Sequence, residues 1–209
     1  MKKLISALAA LAVLGLSNAL AADSGTTLDK IEKACSAITS TQSHFDHNRT
    51  IKASGNTVKM EGILYYTAPG KLAMYYTNPP QDLMIINGDR FYVKRGQANP
   101  NTFDTSKNPT MAGLKNSLLW CIQGKVREVA KANNADIAIM ADNTSYIVTV
   151  TARVKPARGY SKIRVTYRKS DCLPVAMTME DVSGIVNVYR MSDIITKPAD
   201  EIVYRIPER

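Results

Sequence analysis

Between Glu61 and Arg95 apolar side chains alternate with polar ones in four short runs: GILYY, KLAMYY, MII and DRFYV. A period of two marks strands with one apolar face. Three turn signals separate the runs: Pro69-Gly70, Pro79-Pro80 and Asn87-Gly88. The Asn-Gly pair predicts a type I′ hairpin, whose two central residues both take positive φ. The same alternation returns late in the chain, in ADIAIMAD, TSYIVTVTAR, YSKIRVTYRK, LPVAMTMED and GIVNVYRMSDI. There Ile163, Val165 and Tyr167 face one way, while Lys162, Arg164, Thr166 and Arg168 face the other. Likewise Val175, Met177 and Met179 oppose Ala176, Thr178 and Glu180. With HFDHNRTIKA and VKMEGILYYTA the strands number about ten and show no strand–helix–strand rhythm, which predicts an α+β protein that is mainly antiparallel sheet. So long a sheet must curl.

Two segments change to helical spacing. Thr26 or Thr27 can cap LDKIEKACSAI, which sets Leu28, Ile31, Cys35 and Ile38 on one face. A polar loop over residues 96–110 then leads through Asn108-Pro109-Thr110 into MAGLKNSLLWCIQG. Met111, Leu114, Leu118 and Leu119 fall on one side of this helix, and Trp120 and Ile122 widen its apolar face. That is more apolar surface than a solvent-facing helix needs. The helix is therefore a layer packed on the sheet or a movable cover for it. Gly124 is a C-cap, and a short helix, VREVAKANN, stops at Asn133-Asn134.

The first residues read as an export signal. Lys2 and Lys3 precede an apolar run from Leu4 to Leu16, and Ala19-Leu20-Ala21 is a small-residue cleavage site. This predicts a cleaved leader over 1–21 and one domain over 22–209. No cysteine lies near the cut, so no lipid-attachment motif is present. The formal charge is +9, and its basic residues are scattered among acidic and apolar ones. That pattern gives a solvated surface with at most a weak attraction to anionic membranes, and no nucleic-acid motif accompanies it. Three cysteines in an oxidising compartment allow one disulfide, and the helical setting of Cys35 and Cys121 favours that pair.

Reactive chemistry finds little support. On a strand, His44 and Asp46 share a face and His47 points away, a poor arrangement for a metal ion. No G-x-S-x-G, phosphate-binding loop, G-x-G-x-x-G or C-x-x-C occurs. Asn48 and Asn143 match the glycosylation triplet, a short pattern that often arises by chance. The expectation is no enzyme, no cofactor, no metal and no catalytic residue. What the strands and the 111–122 helix hold in quantity is Tyr and Met, side chains that can fill a core or line an adaptable apolar cavity.

The ordered set EGILYYTAPGKLAMYYTNPPQDLMIINGDRFYVK resembles the hallmark region of the LolA family of periplasmic outer-membrane lipoprotein carriers. A Gly-led strand, a Pro turn, an aromatic strand, a second Pro and an I-x-x-(D/N)-G hairpin follow in the family's order. LPVAMTMEDVSGIVNVYRMSDI resembles the family's late strand–turn–strand. The resemblance implies an open, strongly curved, incomplete β-barrel with a helical lid over a hydrophobic cavity. It implies a periplasmic monomer that takes lipoprotein acyl chains from an inner-membrane release complex to an outer-membrane receptor. Leu64, Tyr66, Leu72, Met74, Tyr76, Ile85 and Phe91 would line the cavity. Met111, Leu114, Leu118 and Ile122 would form the lid's inner face. Family members often carry an Arg before the first Pro, where it ties lid to barrel. Ala68 stands there in this chain, so the lid must close differently. The alternative cargo on the same fold is another lipid or glycolipid.

Overall fold

A computed structural model describes residues 24–207. The leader expected over residues 1–21 lies outside them. Helix α1 (Ser24–Ser36) leads into six sequential strands: β1 (Ser40–Ile51), β2 (Thr57–Thr67), β3 (Lys71–Asn78), β4 (Leu83–Asn87), β5 (Arg90–Lys94) and β6 (Asn101–Asp104). Helices α2 (Pro109–Ile122) and α3 (Val126–Ala132) then cross to a second meander. It comprises β7 (Ala135–Ala141), β8 (Ser145–Ala152), β9 (Tyr160–Arg168), β10 (Pro174–Asp181) and β11 (Ile185–Ile195). A 3-10 helix, Glu201–Tyr204, ends the described chain.

All eleven strands belong to one antiparallel sheet, in the order β6-β5-β4-β3-β2-β1-β11-β10-β9-β8-β7. The two meanders join where β1 pairs with β11 over Gln42–Ile51. The sheet is not closed: β6 and β7 are both edges. The expected α+β, open curved sheet with helices is the architecture found, with one strand more than the pattern suggested. The extra strand is β6, inside the segment read as a polar loop. Its side chains are mostly exposed and polar, so no alternation betrays it. Backbone pairing with β5, Phe91 opposite Phe103, makes it a strand.

The 87–90 hairpin also differs by one residue. Asn87 pairs with Arg90, so Gly88 and Asp89 form the two-residue loop. Of these only Gly88 has positive φ, +57°, the signature of a type II′ turn rather than type I′. Gly62 is fixed by a close approach. A Cβ there would sit 2.1 Å from the Tyr75 carbonyl oxygen and 2.9 Å from the Phe45 ring. The ring lies across this gap and meets Tyr76 edge-on, centroids 5.0 Å apart.

Most buried side chains sit on the concave face, under α1, α2 and α3. They include Phe45, Leu72, Met74, Ile86, Val148, Val165, Tyr167 and Met179. A second, smaller cluster lies on the opposite face of β3–β5. There Tyr204 and Ile206 of the C-terminal segment cover Ala73, Ile85 and Tyr92. That segment is fastened by polar contacts: Tyr75 Oη donates to Val203 O at 2.8 Å, and Asn87 Nδ2 to Tyr204 O at 3.2 Å.

Candidate functional site

Helix α2 lies over the concave face and is held at both ends. Asn108 caps it, its side-chain oxygen accepting from Met111 N at 3.1 Å, and Pro109 occupies the first turn without wasting a donor. Near its other end, Tyr167 Oη donates to Cys121 O at 2.7 Å. Gln123 Nε2 donates to Pro69 O at 2.5 Å, tying the end of the lid to the β2–β3 turn. Midway, Lys115 Nζ reaches Gly88 O at 3.2 Å and Thr105 Oγ1 at 2.9 Å. Ala68 contributes no such bond, but the next residue accepts one from the lid. The tether is thus carried by α2 and received by strand-turn backbone.

Between α2 and the sheet runs an apolar seam. Leu64 and Tyr66 of β2, Met74 of β3, and Leu118 and Ile122 of α2 line it. Cys35 and Ile38 from α1 and the turn after it, together with Leu173, Pro174, Met177, Tyr189, Met191 and Ile194, complete it. Thr41 and Ser43 are its only hydroxylic aliphatic side chains, and no charged residue lines it. Its volume is about 30 Å³, close to the share of liquid volume of one water molecule. Sites that enclose drug-sized ligands run to roughly 300–1,000 Å³. A ligand of that size would need the seam to widen.

The other expected lining residues are placed differently. Leu72, Tyr76 and Phe91 are buried on the concave face but away from the seam. Leu72 is wedged between Tyr66 and Ile86 on the neighbouring strands. Met111 and Leu114 are half-buried against the same core, and Leu114 lines a separate groove. Ile85 is a correction. It belongs to the opposite face, packed with Tyr204. Residues 84–86 of β4 are all buried, so alternation cannot say which of them face inward. The register decides: Met84 and Ile86 stand opposite Met74 and Leu72, whereas Ile85 stands opposite Ala73.

Sequence reasoning missed Tyr189 and Met191 on β11. The signal was weak: GIVNVYRMSDI alternates, but Val186 and Val188 on one side compete with Ile185, Tyr189 and Met191 on the other, so the pattern alone does not choose the inward face. Pro174 lines the seam instead of Val175, because the β9–β10 register shifts between Pro174 and Ala176.

The Cys35–Cys121 disulfide is a second correction. Cys35, Cys121 and Cys172 are all free and buried. Cys35 Sγ donates to Cys172 O at 3.2 Å. Burial pushes the Cys35 and Cys121 thiols up to about 12, so neither offers a reactive thiolate near neutral pH. Among the described residues no group of three His, Cys, Asp or Glu could hold a metal ion. No described helix is long and apolar enough to cross a membrane.

One polar cluster is buried under the sheet's curve. His47 is 1% exposed and stacks on Tyr189 at 4.2 Å. His47 Nε2 lies 3.0 Å from Asn187 Oδ1, an acceptor, so Nε2 carries the ring proton. Nδ1 then accepts from Tyr76 Oη at 3.0 Å. Burial, with the nearby Arg95 and Arg49, lowers the imidazolium's pKa to about 4, against the pull of Asn187. The unfolded chain therefore binds the His47 proton near pH 6.5 and the folded chain near pH 4. This contribution to stability is complete above pH 6.5 and is lost as pH falls toward 4, by about 3 kcal/mol. Urea unfolding between pH 7 and 4 should show that loss, and His47→Gln should flatten it. Asp104, Asp142 and Asp171, whose carboxyls are held below the ordinary 3.8 mainly by hydrogen bonds, act only at lower pH.

No family model matches the sequence, and no curated protein matches it. Solved structures do. An uncharacterized conserved protein from Thermus thermophilus is similar at TM-score 0.53 and 11% identity, over 88% of this chain and 95% of that one. MucB is similar at TM-score 0.52 and 15% identity over 87% of this chain, which spans 62% of MucB. A LolA superfamily protein from Nitrosomonas europaea aligns over 86% of this chain and 97% of that one, at 10% identity and TM-score 0.43. The chain shares the fold of the Thermus thermophilus protein and of the matched part of MucB. The resemblance carried by residues 61–95 thus agrees with the architecture: an open curved antiparallel sheet, with helices over its concave face.

Proposed function

We propose that this protein is a periplasmic binding protein, not an enzyme, that carries the acyl chains of lipoproteins between the two membranes. One observation carries the reading: an uncharged seam of Leu, Ile, Met and Tyr side chains separates a lid helix from a curved sheet. Its inner surface can take hydrocarbon, and its polar groups are limited to the hydroxyls of Thr41, Ser43, Tyr66 and Tyr189. Each methylene withdrawn from water is worth about 0.8 kcal/mol. A chain moved from bilayer to seam exchanges one apolar setting for another, so the transfer is nearly balanced and reversible. Met74, Met177 and Met191 suit such a grip, because an unbranched thioether adapts to varied partners. Delivery in one direction would then be set by a release complex at the inner membrane and a receptor at the outer one. The leader read at residues 1–21 supports export to that compartment. The second reading, another lipid or glycolipid as cargo, is favoured by Ala68, where the family's tethering Arg is absent.

Native mass spectrometry of protein purified from its own periplasm tests the two. A bound tri-acylated lipoprotein is the expected result. Free lipid would select the second reading, and a chain without ligand under gentle conditions would overturn both.

A further inference from the structure

A second open space lies beside the first turns of the lid. It encloses about 250 Å³ between Thr110, Leu114 and Ser117 of α2, Asn133 after α3, and Arg158 to Tyr160 at the start of β9. Leu114 and Tyr160 both pack against the core that lies under the lid. Leu114 stands one helical turn, roughly 6 Å, before Leu118, which lines the seam. Groove and seam are thus consecutive stretches along one helix.

The two stretches differ in chemistry. The seam has no charged residue, whereas the groove has Arg158 and no Asp or Glu. Asn133 Nδ2 is already engaged, donating to Val129 O at 2.8 Å. Arg158 is exposed and makes no ion pair among the described residues, although its neighbour Arg153 is paired with Asp136 at 2.7 Å. The same 153–158 loop presents Val154 at 71% exposure beside the exposed Lys155. A guanidinium without a carboxylate partner, in a groove along the helix that also covers an apolar seam, is complementary to a molecule with hydrocarbon at one end and negative charge at the other.

We propose that this groove holds the anionic head group of an amphiphile whose chains run beneath α2, with Arg158 as its charge partner. The proposal rests on the second reading above, another lipid as cargo on the same fold, and adds a selectivity to it. A phosphate or sulfate head gains the Arg158 contact in full, and a zwitterionic head loses most of it to its own cation.

The test uses the delipidated protein with pyrene-labelled phosphatidylglycerol and phosphatidylcholine bearing identical chains. Phosphatidylglycerol should bind about tenfold more tightly, as one partly desolvated charge contact implies. Arg158→Gln should bring it to the phosphatidylcholine level without changing phosphatidylcholine binding, and Arg158→Lys should keep most of the preference. Equal affinities in the wild type, or a preference that survives Arg158→Gln, would overturn the head-group site and leave the second reading standing. Binding of neither lipid would overturn both. Excess sn-glycerol 3-phosphate should not displace the lipid. Displacement would mark a site for free phosphate and overturn the amphiphile.

Discussion

Leu118→Glu should lower the affinity for a fluorescent lipid by at least about a hundredfold, if the seam is the binding surface proposed above. Leu118 is 7% exposed and lines the seam from the lid side, with no cation on the seam's walls to accept a carboxylate. An unpaired charge there costs several kcal/mol, and about 2.7 kcal/mol already accounts for a hundredfold. The lid can relieve part of that cost by swinging outward, so the strands keep their cooperative unfolding while the seam is lost as a binding surface. Leu118→Ala separates charge from packing. It should unfold about 2–4 kcal/mol more easily yet still bind lipid, because it enlarges an apolar space and adds no charge. Wild-type affinity in Leu118→Glu would remove the seam from consideration as the binding site. Leu72 is the wrong position for this experiment. It is fully buried between strands, and a charge there unfolds the sheet before it says anything about cargo.

Gly62→Ala should destabilise the fold by about 3 kcal/mol or more, read as a shift in the urea midpoint with little change in slope. The cost is steric: the added methyl group would sit 2.1 Å from Tyr75 O and 2.9 Å from the Phe45 ring. Backbone cannot yield as a flexible side chain would, so β2 and β3 must separate or the Phe45 ring must leave the core. Phe45 also contacts Tyr76, the donor to His47, so the damage extends to the buried polar cluster. Phe45→Leu combined with Gly62→Ala should recover part of the loss, since the ring is one of the two obstacles. A neutral Gly62→Ala would show that this strand crossing is not tight.

How legible the molecule was depended on whether an element has one apolar face or two. β9 has one. Its Lys162 and Arg164 face water, Ile163 and Val165 face the core, and the period of two identifies both sides correctly. β4 has two, because the C-terminal segment covers the sheet's outer face there. With residues 84–86 all buried the pattern carries no direction, and Ile85 was assigned to the wrong side. The lid is a similar case. Met111, Leu114, Leu118 and Ile122 share a helix face as their spacing requires, yet only Leu118 and Ile122 reach the seam, while Leu114 lines the separate groove. β11 could be read as a strand, but its role beside β1 could not, since that pairing joins residues some 140 positions apart.

By itself the sequence determined the local part of this protein. The alternation made strands, the Pro and Gly pairs ended them, the Asn108-Pro109 start and apolar run made the lid helix, and the strands and that helix carry Tyr and Met in place of reactive clusters. These depend on near neighbours, whose geometry the backbone's two periods fix. Tertiary structure alone decided what distant segments do to one another. It chose the face for Ile85, left the three cysteines unbonded, buried His47 between Tyr76 and Asn187, and supplied Gln123 as the tether that Ala68 lacks. Each of these is set by strand register and by which distant segments pack together, and neither leaves a periodic trace in the chain.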